Sequence, residues 1–231
     1  MSAWWTLPCL LLCAVMATAP TPSRAAQVAV DIGHTPEHPG ARAASGQTEY
    51  HFNLALGEAV VAALQSLGDQ GVRTDAQGAE LSLPQRTARV SGADLFLSIH
   101  HDSIQPEYIA AGRAREFSGY SLFVSKRNPQ FGQSLRCARA IAEQLQSYAG
   151  QQPSEYHAEP IPGENRPFLD RPLGIHQFDD LVVLHTARMP AVLIEAGVII
   201  NPDEETRLAS PDTVRRLAHA IAQGAHSCMG E

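Results

Sequence analysis

Four short runs constrain the chain most: "QVAVDIG" from Gln27, "ADLFLSI" from Ala93, "GYSLFVS" from Gly119 and "AVLIEAG" from Ala191. They are rich in Val, Ile, Leu and Ala, and suit strands covered on both faces, the environment of a parallel sheet. Between them the period changes. From Thr48, apolar residues recur at Phe52, Leu56, Ala59, Val60, Ala63, Leu64 and Leu67, and Gly68 closes the run as a helix would end. "SLRCARAIAEQL" places Leu135, Ala138, Ile141, Ala142 and Leu145 on one helical face. A last helix is marked by Ser210 as N-cap, Pro211 at its first position, Asp212 in its first turn and Gly224 at its end. Strands alternating with helices make an α/β layer fold with a mostly parallel sheet. The 231 residues, 44% of them hydrophobic, suffice for one such domain.

Net charge is −7, with both signs interspersed and no basic block, so nothing marks a nucleic-acid surface. The first residues read as a secretory signal: an apolar run from about Leu7 to Ala19, then Pro20 and Pro22, then Ser23 and Ala25 as small residues before a cleavage near Ala25. The run is short for a membrane span. Cleavage leaves no stable membrane anchor and places the mature chain in the periplasm or outside the cell. It removes Cys9 and Cys13 and leaves Cys137 and Cys228, free to pair in an oxidising compartment or to remain as two buried thiols. Residues 149 to 180, rich in Pro, Gly, Gln and Asn and without periodicity, read as a binding loop or lid, with a solvated surface excursion as the alternative.

Ligands of open α/β sheets collect at the carboxyl ends of the parallel strands. Polar groups fall there in turn: Asp31 and His34 after the first run, His100, His101 and Asp102 after the second, Glu195 at the end of the fourth. Glu49 opens the first helix, close in sequence to His34. A catalytic zinc commonly takes three His, Glu or Asp ligands and leaves a fourth position for water. His34, Glu49 and either His100 or His101 would supply such a set, with Glu195 left as a base. Side chains alternate along a strand, so only one of the adjacent histidines readily points at a given metal. Glu195 follows "AVLI", and a carboxylate buried there needs a metal, a partner or a function to offset desolvation.

Taken together, "VAVDIGHT", "GQTEYHFNLAL", "RTARVSGADLFLSIHHDS", "SGYSLFVSKRNP" and "MPAVLIEAGVIINPDEE" resemble, in order, the signature blocks of the zinc-dependent N-acetylmuramoyl-L-alanine amidases of the amidase-3 type. The resemblance covers nearly the whole mature chain and implies a single catalytic domain over residues 26–231. Its fold would be α/β, with a mixed, mainly parallel six-stranded sheet flanked by helices. It implies zinc held by His34, Glu49 and His100, Glu195 as general base, and cleavage of peptidoglycan between N-acetylmuramic acid and the L-alanine of the stem peptide. His101 and Asp102 then become neighbours at the rim.

Departures from the pattern are small. Thr35 and Pro36 replace two glycines after "GH", His101 and Asp102 replace a small residue and Asn after "SIH", and Val198 stands where Phe is usual. Some members carry a zinc-covering helix that a regulatory protein partner removes. No helical pattern here matches such a plug, and the 149–180 segment is the candidate gate. Arg86, Arg89 and Arg171 are candidates for stem-peptide carboxylates, with structural ion pairs as the alternative. Two other readings share features of the chain: a related zinc exopeptidase, and a non-catalytic cell-wall-binding module, which would have no use for a buried Glu195 beside a full ligand set.

Overall fold

Residues 25–75, 79–161 and 163–230, with Met1, are described by a computed structural model. The expected leader over residues 1–25 lies, apart from its two ends, outside the described residues. In chain order the elements are β1 (Gln27–Ile32), α1 (Glu49–Ser66), β2 (Gln70–Arg73), α2 (Leu83–Ala88), β3 (Leu95–Asp102), α3 (Pro106–Ala110), β4 (Ser121–Val124), α4 (Phe131–Ser147), β5 (Phe168–Asp170), β6 (Ile175–Gln177), α5 (Val182–Thr186), β7 (Ala191–Val198), α6 (Pro202–Leu208) and α7 (Pro211–Met229).

The four apolar runs form β1, β3, β4 and β7, but the sheet has seven strands, in the order β2-β1-β3-β7-β4-β6-β5, rather than the six expected. From β2 to β7 neighbours are parallel; β4 is antiparallel to β7, β6 parallel to β4, and β5 antiparallel to β6. The strands beyond the apolar runs lie towards the edges and are short. β2 reads "QGVR" and alternates exposed and half-buried residues, while β5 and β6 have three residues each within the 149–180 segment. So few residues carry no usable period.

α1, α4 and α7 cover one face, where Phe52, Leu56 and Val60 meet Val30, Ile32, Leu97 and Ile99 in one cluster with Ile141 and Ile221. On the other face Ala29, Phe96 and Leu193 pack with Val183 and Leu184 of α5. The opposite clusters of Phe96 and Leu97 are the strand alternation made visible.

α7 does not end at Gly224; it runs to Met229. A Cβ at Gly224 would lie 2.5 Å from the Ile141 Cα, so the residue is small because α4 and α7 cross there. Beside that crossing Cys137 and Cys228 form a disulfide, with Cα atoms 5.0 Å apart and a sequence separation of 91.

Two stability predictions follow from this packing. In the chain-entropy account, closing a loop of that length stabilises the fold by about 4–5 kcal/mol. Cys137→Ser/Cys228→Ser should lose about 2–5 kcal/mol in urea unfolding. The second concerns His176 on β6, which is fully buried, stacks against Phe123 and Phe168, and donates from Nδ1 to the Arg166 carbonyl at 3.0 Å. Burial lowers its pKa from 6.5 to about 4. The unfolded chain therefore binds a proton more readily, and this contribution to stability is complete above about pH 6.5, falls as pH drops towards 4, and levels off below. His176→Gln keeps a donor and loses the titration. The stability gap between wild type and variant should narrow over that interval in urea unfolding, and a pH-independent gap would contradict a buried neutral ring.

Candidate metal centre

Beyond β1 the chain turns through Gly33 and His34, and His34 adopts φ 68, the one positive φ outside glycine among the described residues. The turn leaves no spare room. A Cβ on Gly33 would lie 2.4 Å from the His100 ring, and one on Gly40, itself at φ +74, would lie 2.5 Å from Glu49 Oε2. Glycine at these positions lets the backbone approach both imidazoles and the carboxylate.

Glu49 is the first residue of α1, 5% exposed, where the helix N-terminus favours negative charge. Its Oε2 faces His34 Nε2 at 2.9 Å and accepts from the Ala41 N–H at 3.1 Å; its Oε1 faces His100 Nδ1 at 3.0 Å and accepts from Asn53 Nδ2 at 3.2 Å. Burial alone would raise its pKa, but the hydrogen bonds and charges of His100 and His34 outweigh it and hold the carboxyl below its ordinary range. One helical turn on, fully buried Asn53 also donates to the Gly33 carbonyl at 3.1 Å and accepts from His101 Nδ1 at 2.8 Å.

The adjacent histidines part company as strand alternation requires. His100 turns to Glu49, whereas His101 is 3% exposed against Asn53 and Phe52, and burial lowers its pKa to about 3. Glu195 of β7 is the register partner of His100 on β3. Its Oε2 is buried with no hydrogen-bond partner among the described residues. Burial first, then the charges of Asp102 and Glu49, push its pKa well above the carboxylate range.

Sequence reasoning missed Asn53 and, inside the 149–180 segment, His157 and Arg166. His157 Nε2 donates to Asp102, and Arg166 donates to His157 Nδ1, both as short contacts. Composition marked that segment as a binding loop, yet no local spacing ties His157 to Asp102. The candidate cations resolve differently. Arg86 is buried in an ion pair with Asp31, Arg171 is exposed and paired with Glu155, and Arg166, paired with Glu164, lines the cavity that holds Glu195.

Two cavities meet at His34 and His100. One, of about 390 Å³, is lined by polar groups including Glu195, Asp102, His157 and Arg166; the other, of about 380 Å³, sets Leu81, Leu83, Leu181 and Val182 beside the charged Asp31, Glu80 and Arg86. The ligand atoms of His34, Glu49 and His100 all lie within 4.8 Å of one another. Two imidazoles and one carboxylate so close, beside an unpartnered carboxylate oxygen, form a donor set that could hold a divalent cation of zinc's chemistry.

Comparison with known proteins adds the family. The chain is 30% identical over 219 residues to the uncharacterized protein YqiI of Bacillus subtilis, covering 94% of this chain and 91% of that protein. It is 26% identical to the N-acetylmuramoyl-L-alanine amidase AmiA of Escherichia coli, covering 85% of this chain and 74% of that protein. Its fold superposes on an N-acetylmuramoyl-L-alanine amidase from Clostridium difficile with a TM-score of 0.71 at 23% identity, covering 89% of this chain and 97% of that one. With residues 28–227 matching the family as a whole, the chain belongs to the N-acetylmuramoyl-L-alanine amidases.

Proposed function

We propose that the chain is a zinc-dependent N-acetylmuramoyl-L-alanine amidase. It acts on peptidoglycan outside the cytoplasm, hydrolysing the amide between the lactyl group of N-acetylmuramic acid and L-alanine. The observation that carries this reading is the convergence of His34, Glu49 and His100, with the unpartnered Glu195 Oε2 on the neighbouring strand. Family membership supplies the substrate class. The disulfide agrees with an oxidising compartment, and no helix among the described residues is long and apolar enough to cross a membrane.

His34, Glu49 and His100 would hold the metal. When bound, zinc supplies Lewis-acid polarisation of the amide carbonyl and lowers the pKa of its water to about 7. Glu195 supplies the proton chemistry: it takes the proton of the attacking water and delivers it to the nitrogen of the departing alanine. Burial and the Asp102 and Glu49 charges raise its proton affinity, and a bound cation would oppose them. Asn53 and the Ala41 N–H hold Glu49 in place, so the ligand set is oriented before substrate arrives. The cavity bearing Arg166 and His157 suits the charged stem peptide, leaving the cavity between His34 and Leu83 for the lactyl side.

Product analysis on purified peptidoglycan tests the bond. New N-terminal L-alanine with intact glycan strands is expected, and new reducing ends or cleavage further along the peptide would contradict the reading. Glu195→Ala should retain zinc by metal analysis while turnover falls about 10²–10⁴-fold; near wild-type activity would remove Glu195 from its role. His100→Ala should lose the zinc, and His101→Ala should keep it.

A further inference from the structure

We propose that Arg86 is a positioning residue for the metal centre, acting through the backbone of His34. This rests on the reading of His34 as a ligand. A left-handed conformation is disfavoured at a non-glycine residue, so His34 holds φ 68 only where its surroundings enforce it. Relaxation of that backbone would swing the imidazole away from Glu49.

The two peptide planes that bracket the His34 Cα end in the Gly33 and His34 carbonyls. The first accepts from Asn53 Nδ2 at 3.1 Å; the second accepts from Arg86 Nη2 at 2.7 Å. Arg86 Nη1 also donates to the Ile32 carbonyl at 2.6 Å. Three successive carbonyls are thus held by two buried side chains, and Arg86 supplies the outer pair.

Arg86 is itself fixed. It sits on α2, 3% exposed, and Nη1 also meets Asp31 Oδ1 at 3.1 Å. Asp31, 1% exposed, accepts from Thr74 Oγ1 at 2.7 Å and Ser98 Oγ at 2.8 Å. A buried ion pair is weak evidence for stability, because apolar residues of the same volume often serve as well. Its placement here has a geometric consequence that apolar residues would not reproduce: a planar fork spanning two carbonyls and a carboxylate. Lysine keeps the charge and lacks the fork.

The test is zinc affinity by chelator competition on Arg86→Lys and Arg86→Gln, with folding verified by circular dichroism. Both should bind zinc at least about tenfold more weakly than wild type, and activity should recover as free zinc is raised. Ser98→Ala loosens Asp31 without stripping a buried charge and should shift affinity the same way by less. Folded Arg86 variants with zinc affinity within about twofold of wild type would overturn the proposal. So would unfolding of both variants with Ser98→Ala unchanged in affinity, which would make Arg86 a core residue and no more. The two readings separate cleanly: a wild type without stoichiometric zinc fails the metal reading, while tight zinc in wild type and variants alike fails only the role of Arg86.

Discussion

A carboxylate taken out of water at the start of a helix has to be compensated on every side, and Glu49 is where this molecule meets that requirement. Desolvation alone would protonate it. The His100 and His34 imidazoles reverse that preference, while the Ala41 N–H and the Asn53 amide satisfy the remaining oxygen positions. These partners come from three pieces of chain: the loop after β1, the end of β3 and the next turn of α1. Satisfying one buried charge therefore brings together the segments that make the centre. The glycines at 33 and 40 allow the loop to close over it.

The sheet supplies the rest by register. β3 and β7 are parallel neighbours, and His100 stands opposite Glu195 because the strands align there. That alignment places an unpartnered carboxylate oxygen beside the ligand set without an ordering loop. Far from this edge, the Cys137–Cys228 bond and the Gly224 crossing tie α4 to α7. The devices that hold the core are thereby separate from those that hold the site, and stability and chemistry can be perturbed independently.

Much of the architecture is legible in the chain. The four central strands are long apolar runs, and α1, α4 and α7 bury one stripe each, so their periods are plain. β5 and β6 are too short to leave a period, β2 alternates exposed and half-buried residues over a single short stretch, and Gly224 carries the mark of a helix end although its role is close packing. The leader expected over residues 1–25 is a reading of composition alone.

At the site, position after the apolar runs brings forward His34, Glu195 and the pair His100 and His101, Glu49 enters as the carboxylate that opens α1, and the family resemblance selects His100 from the pair. Strand alternation also separates His100 from His101. Which groups meet across the fold is another matter. That Arg86 holds carbonyls 52 and 54 residues away, and that His157 reaches Asp102 over 55, depends on the packing of α2 and of the 149–180 segment. Local pattern records burial and period; contacts between distant residues exist once the layers have closed.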